Sequence, residues 1–259
     1  MVRKVLIVGN WKMNLNVSQA SLLVHRLQEQ VRHHRNIEVV IAPPMLALQP
    51  LSVQIDRRKF RLAAQNAYCK DEGPFTGEVS FTMLREIVHY ALIGHSERRI
   101  HFHEDLPLIR DKVKAAIRNE ISPILCVGET EHERKEGMTK RVIHDQVTTA
   151  LSNLTAREIM DVVIAYEPVW AIGSGDPAKP DQIEEAISCV RHNVSELYGQ
   201  KVGNAIRVIY GASVEPEFVA GILSIEGVDG LLPGGASLNP YKFAGIVESA
   251  YRLQAERTQ

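Results

Sequence analysis

The stretch VVIAYEPVWAIGSGDPA, residues 162–178, carries a strand, a carboxylate and a glycine loop in immediate succession. Val162, Val163, Ile164 and Ala165 form a short, mostly β-branched apolar run, the composition of a strand buried on both faces in a parallel sheet. Glu167 stands where that strand should end, and Pro168 behind it disfavours helical geometry at Glu167 and stiffens the exit. Ile172-Gly173-Ser174-Gly175 then gives a loop with mobile glycines and free backbone N–H groups, before Asp181-Gln182-Ile183-Glu184-Glu185 opens a helical pattern. A strand-terminal glutamate alone is most often solvated or structural, and Gly-Ser-Gly alone is usually a flexible loop. Matching chemistry at other strand ends is what gives the combination its weight.

Working outward, short apolar strands begin near Lys4, Ile37, Phe60, Tyr90, Ser122, Asp161, Ile206 and Val228, and most lead into a segment of helical period. Helices are predicted from Ser18 to His33, where Leu22, Leu23, Leu27 and Val31 are expected to share a face, and from Leu106 to Asn119, Val142 to Leu151, Ile183 to Tyr198 and Phe243 to Leu253. Eight βα units in 259 residues, about 32 residues each, run on with no Pro/Gly/Ser-rich linker between them. That pattern predicts an α/β chain forming one domain over 1–259, a closed (β/α)8 barrel of parallel strands with an outer ring of helices. The rival, a doubly wound open sheet, predicts a glycine-rich dinucleotide loop after the first strand, and GNWKMN is not that pattern. A barrel delivers all eight strand ends to one mouth, so residues distant in sequence become neighbours there.

Composition narrows the partners. With 45% hydrophobic and 24% charged residues the chain has an ordinary soluble globular make-up, long enough for a sizeable core. A formal net charge of −1 and a pI of about 6.8 give no electrostatic reason to expect nucleic acid or an anionic membrane surface, so any anion must be bound by local design. The opening MVRKVLIVGNWK has too short an apolar run for a signal-peptide core, and no run approaches membrane-spanning length, so a cytoplasmic protein is expected. Cys69, Cys126 and Cys189 are sparse and odd in number and lack metal-type spacing, which speaks against a disulfide framework and against a zinc site.

The remaining strand ends follow in order. The first strand, VLIVGN, exits into Asn10, Trp11 and Lys12, bringing an amide and an ammonium to the mouth, although a lysine after an apolar strand usually snorkels to solvent. Strand two ends in Ala42-Pro43-Pro44, a rigid exit without chemistry. Strand three opens into a long loop, 67–79, containing Gly73, Pro74 and Gly77; it is either a floppy connection or an arm docking on a second subunit. Strand four ends in His95-Ser96-Glu97-Arg98-Arg99. His95 precedes a predicted short helix starting at Ser96, whose N-terminus disfavours imidazolium and so favours a neutral ring able to donate to a substrate oxygen. Glu97, Arg98 and Arg99 read most simply as an ion-pair network, and Cys126 after strand five as a packed small hydrophobe. Strands seven and eight lead into Gly211-Ala212-Ser213 and Pro233-Gly234-Gly235-Ala236-Ser237, glycine turns in register with a short helix start behind the second, a phosphate cradle for this barrel class.

Across essentially the full chain, GNWKMN (9–14), QNAYCKDEGPFTGE (65–78), IGHSERR (93–99), CVGET (126–130), AYEPVWAIGSG (165–175), YGAS (210–213) and GGASL (234–238) resemble, in order and spacing, the motifs of the triosephosphate isomerase family. The resemblance implies a TIM barrel that interconverts dihydroxyacetone phosphate and D-glyceraldehyde 3-phosphate in glycolysis and gluconeogenesis, with no metal and no cofactor. It implies Glu167 as the base and His95 as the group that polarises and shuttles protons between the two enediolate oxygens, the pairing this family is known for. Lys12 would supply positive charge, Asn10 would orient it and the substrate, and Glu97 would support Lys12 from behind. Gly173, Ser213, Gly234 and Gly235 would offer backbone N–H groups to the phosphate, while Ile172 and Leu232 press water away from the carboxylate and the closing lid protects the enediolate. Thr76 would reach into a partner's site, implying a homodimer through loop 67–79. Three departures touch the lid. Asp176-Pro177-Ala178 stands where the family commonly has Lys-Thr-Ala, Ala212 replaces a glycine, and Pro233 cannot donate a hydrogen bond. An isomerase of a tetrulose phosphate and a phosphate-binding barrel without catalysis are the alternative readings.

Overall fold

The computed structural model describes residues 3–175 and 177–256. Asp176, part of the lid reading above, lies outside the described residues. Eight parallel strands, β1 (Val5–Asn10), β2 (Ile37–Ala42), β3 (Arg61–Ala64), β4 (Tyr90–Ile93), β5 (Ser122–Val127), β6 (Val163–Tyr166), β7 (Arg207–Tyr210) and β8 (Gly230–Leu231), close in sequential order. Pairing of Leu6 with Gly230 and Ile7 with Leu231 joins the last strand to the first, so the fold is a (β/α)8 barrel. Each strand starts within two residues of the position read from the sequence.

Side-chain alternation along the strands sorts the core into two layers. Leu6, Val8, Val40, Leu92, Ile124, Val163, Ala165 and Ile209 face the barrel axis, while Val5, Ile7, Val39, Ile41, Ile93, Leu125, Ile164 and Val208 face the helices. Both layers are dry, which is why these strands read as continuous apolar runs rather than as alternating ones. Each such Val, Leu or Ile contributes about 1.5–3 kcal/mol on burial.

The outer ring comprises α1 (Val17–Gln30), α2 (Met45–Gln54), α3 (Phe81–Leu84), α4 (Ser96–His101), α5 (Leu106–Arg118), α6 (Glu131–Lys135), α7 (Thr139–Leu151), α8 (Pro180–Tyr198), α9 (Gln200–Ala205), α10 (Val219–Leu223) and α11 (Pro240–Glu256). Helix α1 starts on a reciprocal cap, Asn16 Oδ1 accepting from Gln19 N–H and Gln19 Oε1 from Asn16 N–H. Its buried stripe is Ala20, Leu23, Val24 and Leu27. Leu22, expected on that stripe, is 51% exposed, one helical position off the face. Helix α2 went unread because Pro50 interrupts its pattern and apolar residues surround it on every side, leaving no period to detect. No helix among the described residues is long and apolar enough to cross a membrane.

The floor of the barrel, at the N-terminal ends of the strands, is a polar plug. Glu38 accepts from Tyr90 OH at 2.9 Å and from Arg207 Nη1 at 2.8 Å, with Arg61 Nε 3.0 Å away. Arg207 Nη2 also donates to Tyr90 OH at 2.8 Å. Burial raises the Glu38 carboxyl, but the Arg207 hydrogen bond and charge, with Tyr90 and Arg61, outweigh it and hold it below its ordinary value.

Candidate active site

At the opposite rim a cavity of about 220 Å3 is lined by Asn10 and Lys12 after β1, His95 after β4, Glu167 after β6, Ile172 and Gly173 on the following loop, Ser213 after β7, and Leu232, Gly234 and Gly235 after β8. This is smaller than pockets for drug-sized ligands, about 300–1,000 Å3, and suits a small metabolite. Ten of the twelve residues singled out from the sequence therefore share one cavity. Glu97 does not line it but pairs with Lys12, and Thr76 is exposed on loop 67–79, away from this chain's own site.

Lys12 is held in an unusual backbone state. Its φ of 53° lies in the left-handed region, and strain of this kind persists only where the surroundings impose it. Its N–H donates to Asn10 Oδ1 at 3.0 Å, and its carbonyl accepts from Gln65 Nε2 at 2.8 Å. The ammonium is 2.6 Å from Glu97 Oε1. Partial burial raises the Glu97 carboxyl, but the Lys12 hydrogen bond and charge outweigh it, so it sits below the usual carboxylate value.

His95 caps helix α4, its Nδ1 accepting from Glu97 N–H at 3.2 Å. An accepting Nδ1 assigns the proton to Nε2, and Nε2 faces Glu167 Oε1 at 3.2 Å. Glu167 is 1% exposed, and its other oxygen accepts from Ser96 N–H at 3.3 Å. The Glu167 carboxylate thus faces an imidazole and a backbone amide. Its own N–H is tied to Val127 O at 2.7 Å, and the chain passes so close to Gly128 that a Cβ there would lie 1.9 Å from the Glu167 carbonyl oxygen.

Around this centre the ion-pair reading of residues 97–99 needs correction. Lys12 pairs with Glu97, and Arg98 with the buried Glu104, which also holds Lys112. Arg99 is different: it reaches Gly128 O at 3.4 Å, and its Nε and Nη2 are buried without hydrogen-bond partners among the described residues. Cys126 is buried, and its thiol is pushed well up, first by burial and then by the Glu167 charge, as suits a packed hydrophobe rather than a nucleophile. All three cysteines are free.

The loop after β6 lies down over the cavity. Its root, a 3-10 turn at Val169–Ala171, is fixed by Glu129, which is fully buried and binds Tyr166 OH at 3.1 Å, Trp170 Nε1 at 3.1 Å and Arg134 Nη1 at 3.0 Å. Its far side rests on the loop after β7. Ser213 Oγ donates to Ala171 O at 2.9 Å, Gly175 N–H donates to Ser213 Oγ at 3.1 Å, and Ala178 N–H donates to Tyr210 OH at 2.9 Å. Of the three departures, Ala212 has no left-handed φ, so its Cβ costs nothing in this conformation, and Pro233 contributes its carbonyl, which accepts from Asn10 N–H at 2.9 Å. Sequence reasoning passed over Glu129, Tyr166, Trp170 and Tyr210. The signal was a second acid, Glu129, at the end of the strand beside that of Glu167, with an indole three residues after Glu167.

Loop 67–79 is ordered by its own contacts. Tyr68 N–H donates to Val79 O at 2.8 Å, the Tyr68 and Phe75 rings sit 4.7 Å apart, and Asp71 is held down to about 2 by hydrogen bonds from Arg118 and Asn119. The floppy-connection alternative is therefore set aside.

The triosephosphate isomerase family model matches residues 5–250. Among curated relatives, the triosephosphate isomerase of Carboxydothermus hydrogenoformans is 41% identical over 250 residues, covering 96% of this chain and 100% of that one. That of Chloroherpeton thalassium is 43% identical over 251 residues, with 96% and 100% covered, and that of Ligilactobacillus salivarius 42% over 247 residues, with 95% and 98% covered.

Proposed function

The chain belongs to the triosephosphate isomerase family, and from that premise we infer that it interconverts dihydroxyacetone phosphate and D-glyceraldehyde 3-phosphate. We propose Glu167 as the base that removes a proton from the carbon beside the substrate carbonyl and returns it to the neighbouring carbon. His95 Nε2–H stabilises and reprotonates the enediolate oxygens, and Lys12 offsets the negative charge that develops there. Asn10 orients Lys12 through the contact with its N–H, and Glu97 steadies the ammonium. The N–H groups of Gly173, Ser213, Gly234 and Gly235 take the phosphate, while Ile172 and Leu232 exclude water from the base. The observation that carries this reading is the single cavity in which Lys12, His95 and Glu167 meet two glycine turns able to wrap an anion. A coupled isomerisation assay tests it: turnover of triose phosphate is expected, and its absence in folded protein would end the reading.

We further propose a homodimer working in the cytoplasm. Its support is a groove of about 490 Å3 beside the active site, lined by Met13, Gln65, Gly77, Glu78 and Phe102 among others, with Met13 96% and Phe102 62% exposed. A second copy's loop 67–79, bearing Thr76, fits such a groove. Trimming that loop should give a weakly active monomer in sedimentation, and a fully active monomeric parent protein would defeat the proposal.

A further inference from the structure

The floor of the barrel carries a concentration of positive charge that the reaction does not use. A recess of about 150 Å3 there is lined by Lys4 at the foot of β1, His33 in the α1–β2 turn, and Arg57, Arg58, Lys59 and Arg61 leading into β3. Its acidic lining residue is Glu38, and Glu38 is already divided between Arg207 at 2.8 Å and Arg61 at 3.0 Å. Asp56, beside the recess, is committed to its own turn, accepting from Arg58 N–H at 2.9 Å. Lys59 turns away to Gln28 O, and Arg57 reaches Ser52 O at 3.4 Å. Lys4, Arg57 and Arg58 have no carboxylate partner among the described residues. In a chain of 30 basic and 31 acidic side chains this is a local asymmetry and not a general basicity. The uncompensated field reaches neighbouring groups: His89, at the foot of β4, is held below the ordinary imidazole value, first by partial burial and then by Arg61 and Arg57, with Glu38 acting in the opposite sense.

We propose that this recess is an oligophosphate site, taking the di- or triphosphate end of a small molecule at the barrel end opposite the active site. A single phosphate would leave part of the charge of Lys4, Arg57 and Arg58 unmatched. The volume admits a short phosphate chain and keeps a larger body outside, in solvent. Arginine forks suit adjacent phosphoryl oxygens, and the interaction weakens with salt because the cations are close to water.

Titration calorimetry with inorganic tripolyphosphate at low salt, on the full chain, tests this. The parent protein should bind one equivalent, and the R57S/R58S double variant should bind at least about tenfold more weakly with isomerase kcat and KM unchanged. Both arginines are exposed, so the variant keeps the fold. A Lys12→Ala variant, which removes the ammonium from the active-site cavity, should bind tripolyphosphate as the parent does. Equal affinity in R57S/R58S, loss of binding in Lys12→Ala, or binding of inorganic monophosphate as tight as that of tripolyphosphate would each overturn the proposal. So would a single-stranded oligonucleotide that binds with many-fold higher affinity than tripolyphosphate, since that would make the patch a surface for a polymer.

Discussion

Two carboxylates, one part-buried on the floor of the barrel and one buried at its mouth, receive opposite treatment. Glu38 on the floor is saturated by two guanidiniums and a phenol, and nothing is left for a ligand. Glu167 at the mouth is more deeply buried, yet its near contacts are an imidazole and a backbone N–H, and it opens on a cavity. A carboxylate tied to fixed cations holds a structure together. One left among weak donors beside a cavity is the better suited to accept a proton, because no strong ion pair must be broken first.

The comparison can be broken at its stronger end. Glu167→Gln should lower kcat by about 10^2- to 10^4-fold, the range of general acid–base contributions, with thermal unfolding essentially unmoved; a variant that unfolds early but turns over normally would reverse the assignment. Glu38→Gln should do the converse, leaving Arg61 and Arg207 short of an anion at a cost of about 1–3 kcal/mol in denaturant unfolding while kcat/KM of the folded fraction stays within about twofold. A third acid sharpens the contrast. Glu129 anchors the lid root through Trp170, so Trp170→Phe should reduce kcat/KM by less than about tenfold, seen in stopped-flow or steady-state assays, with little change in stability.

The smallest effect concerns acid. Since the folded-state value of Glu38 lies below the ordinary 4.5, its contribution is present above the unfolded value and fades as pH falls through the folded one. Stability measured below pH 4.5 should therefore decline less steeply in Glu38→Gln than in the parent protein. Parallel declines would remove Glu38 from the account.

What was legible in the sequence followed from local pattern. The continuous apolar runs of β1, β5 and β6 declare strands covered on both faces, and Asn10, Lys12, His95 and Glu167 fall at strand ends that a closed barrel must gather. Long-range pairing was not legible. Glu38 gives no hint in IEVVIA that it faces Arg207, because that contact depends on the register of β2 and β7 across the barrel axis. The lid anchor was hidden likewise: Glu129 and Trp170 are separated by a whole βα unit, and only the pairing of β5 with β6 brings them together. Helix α2 stayed invisible since a segment apolar on all sides has no phase, and Leu22 was misplaced because three adjacent apolar positions in α1 left the stripe's centre ambiguous.

The close passage of Gly128 beneath Glu167 has a consequence for how this protein can vary. Position 128 carries no reactive group, yet even the smallest side chain there would displace the peptide on which Glu167 is mounted. A substitution scan read out by turnover should therefore find two intolerant sites, brought together by the fold, with unrelated reasons, one guarding the Glu167 carboxylate and the other guarding the room it needs. The evolutionary freedom of the reaction centre is set in part by an atom that is missing.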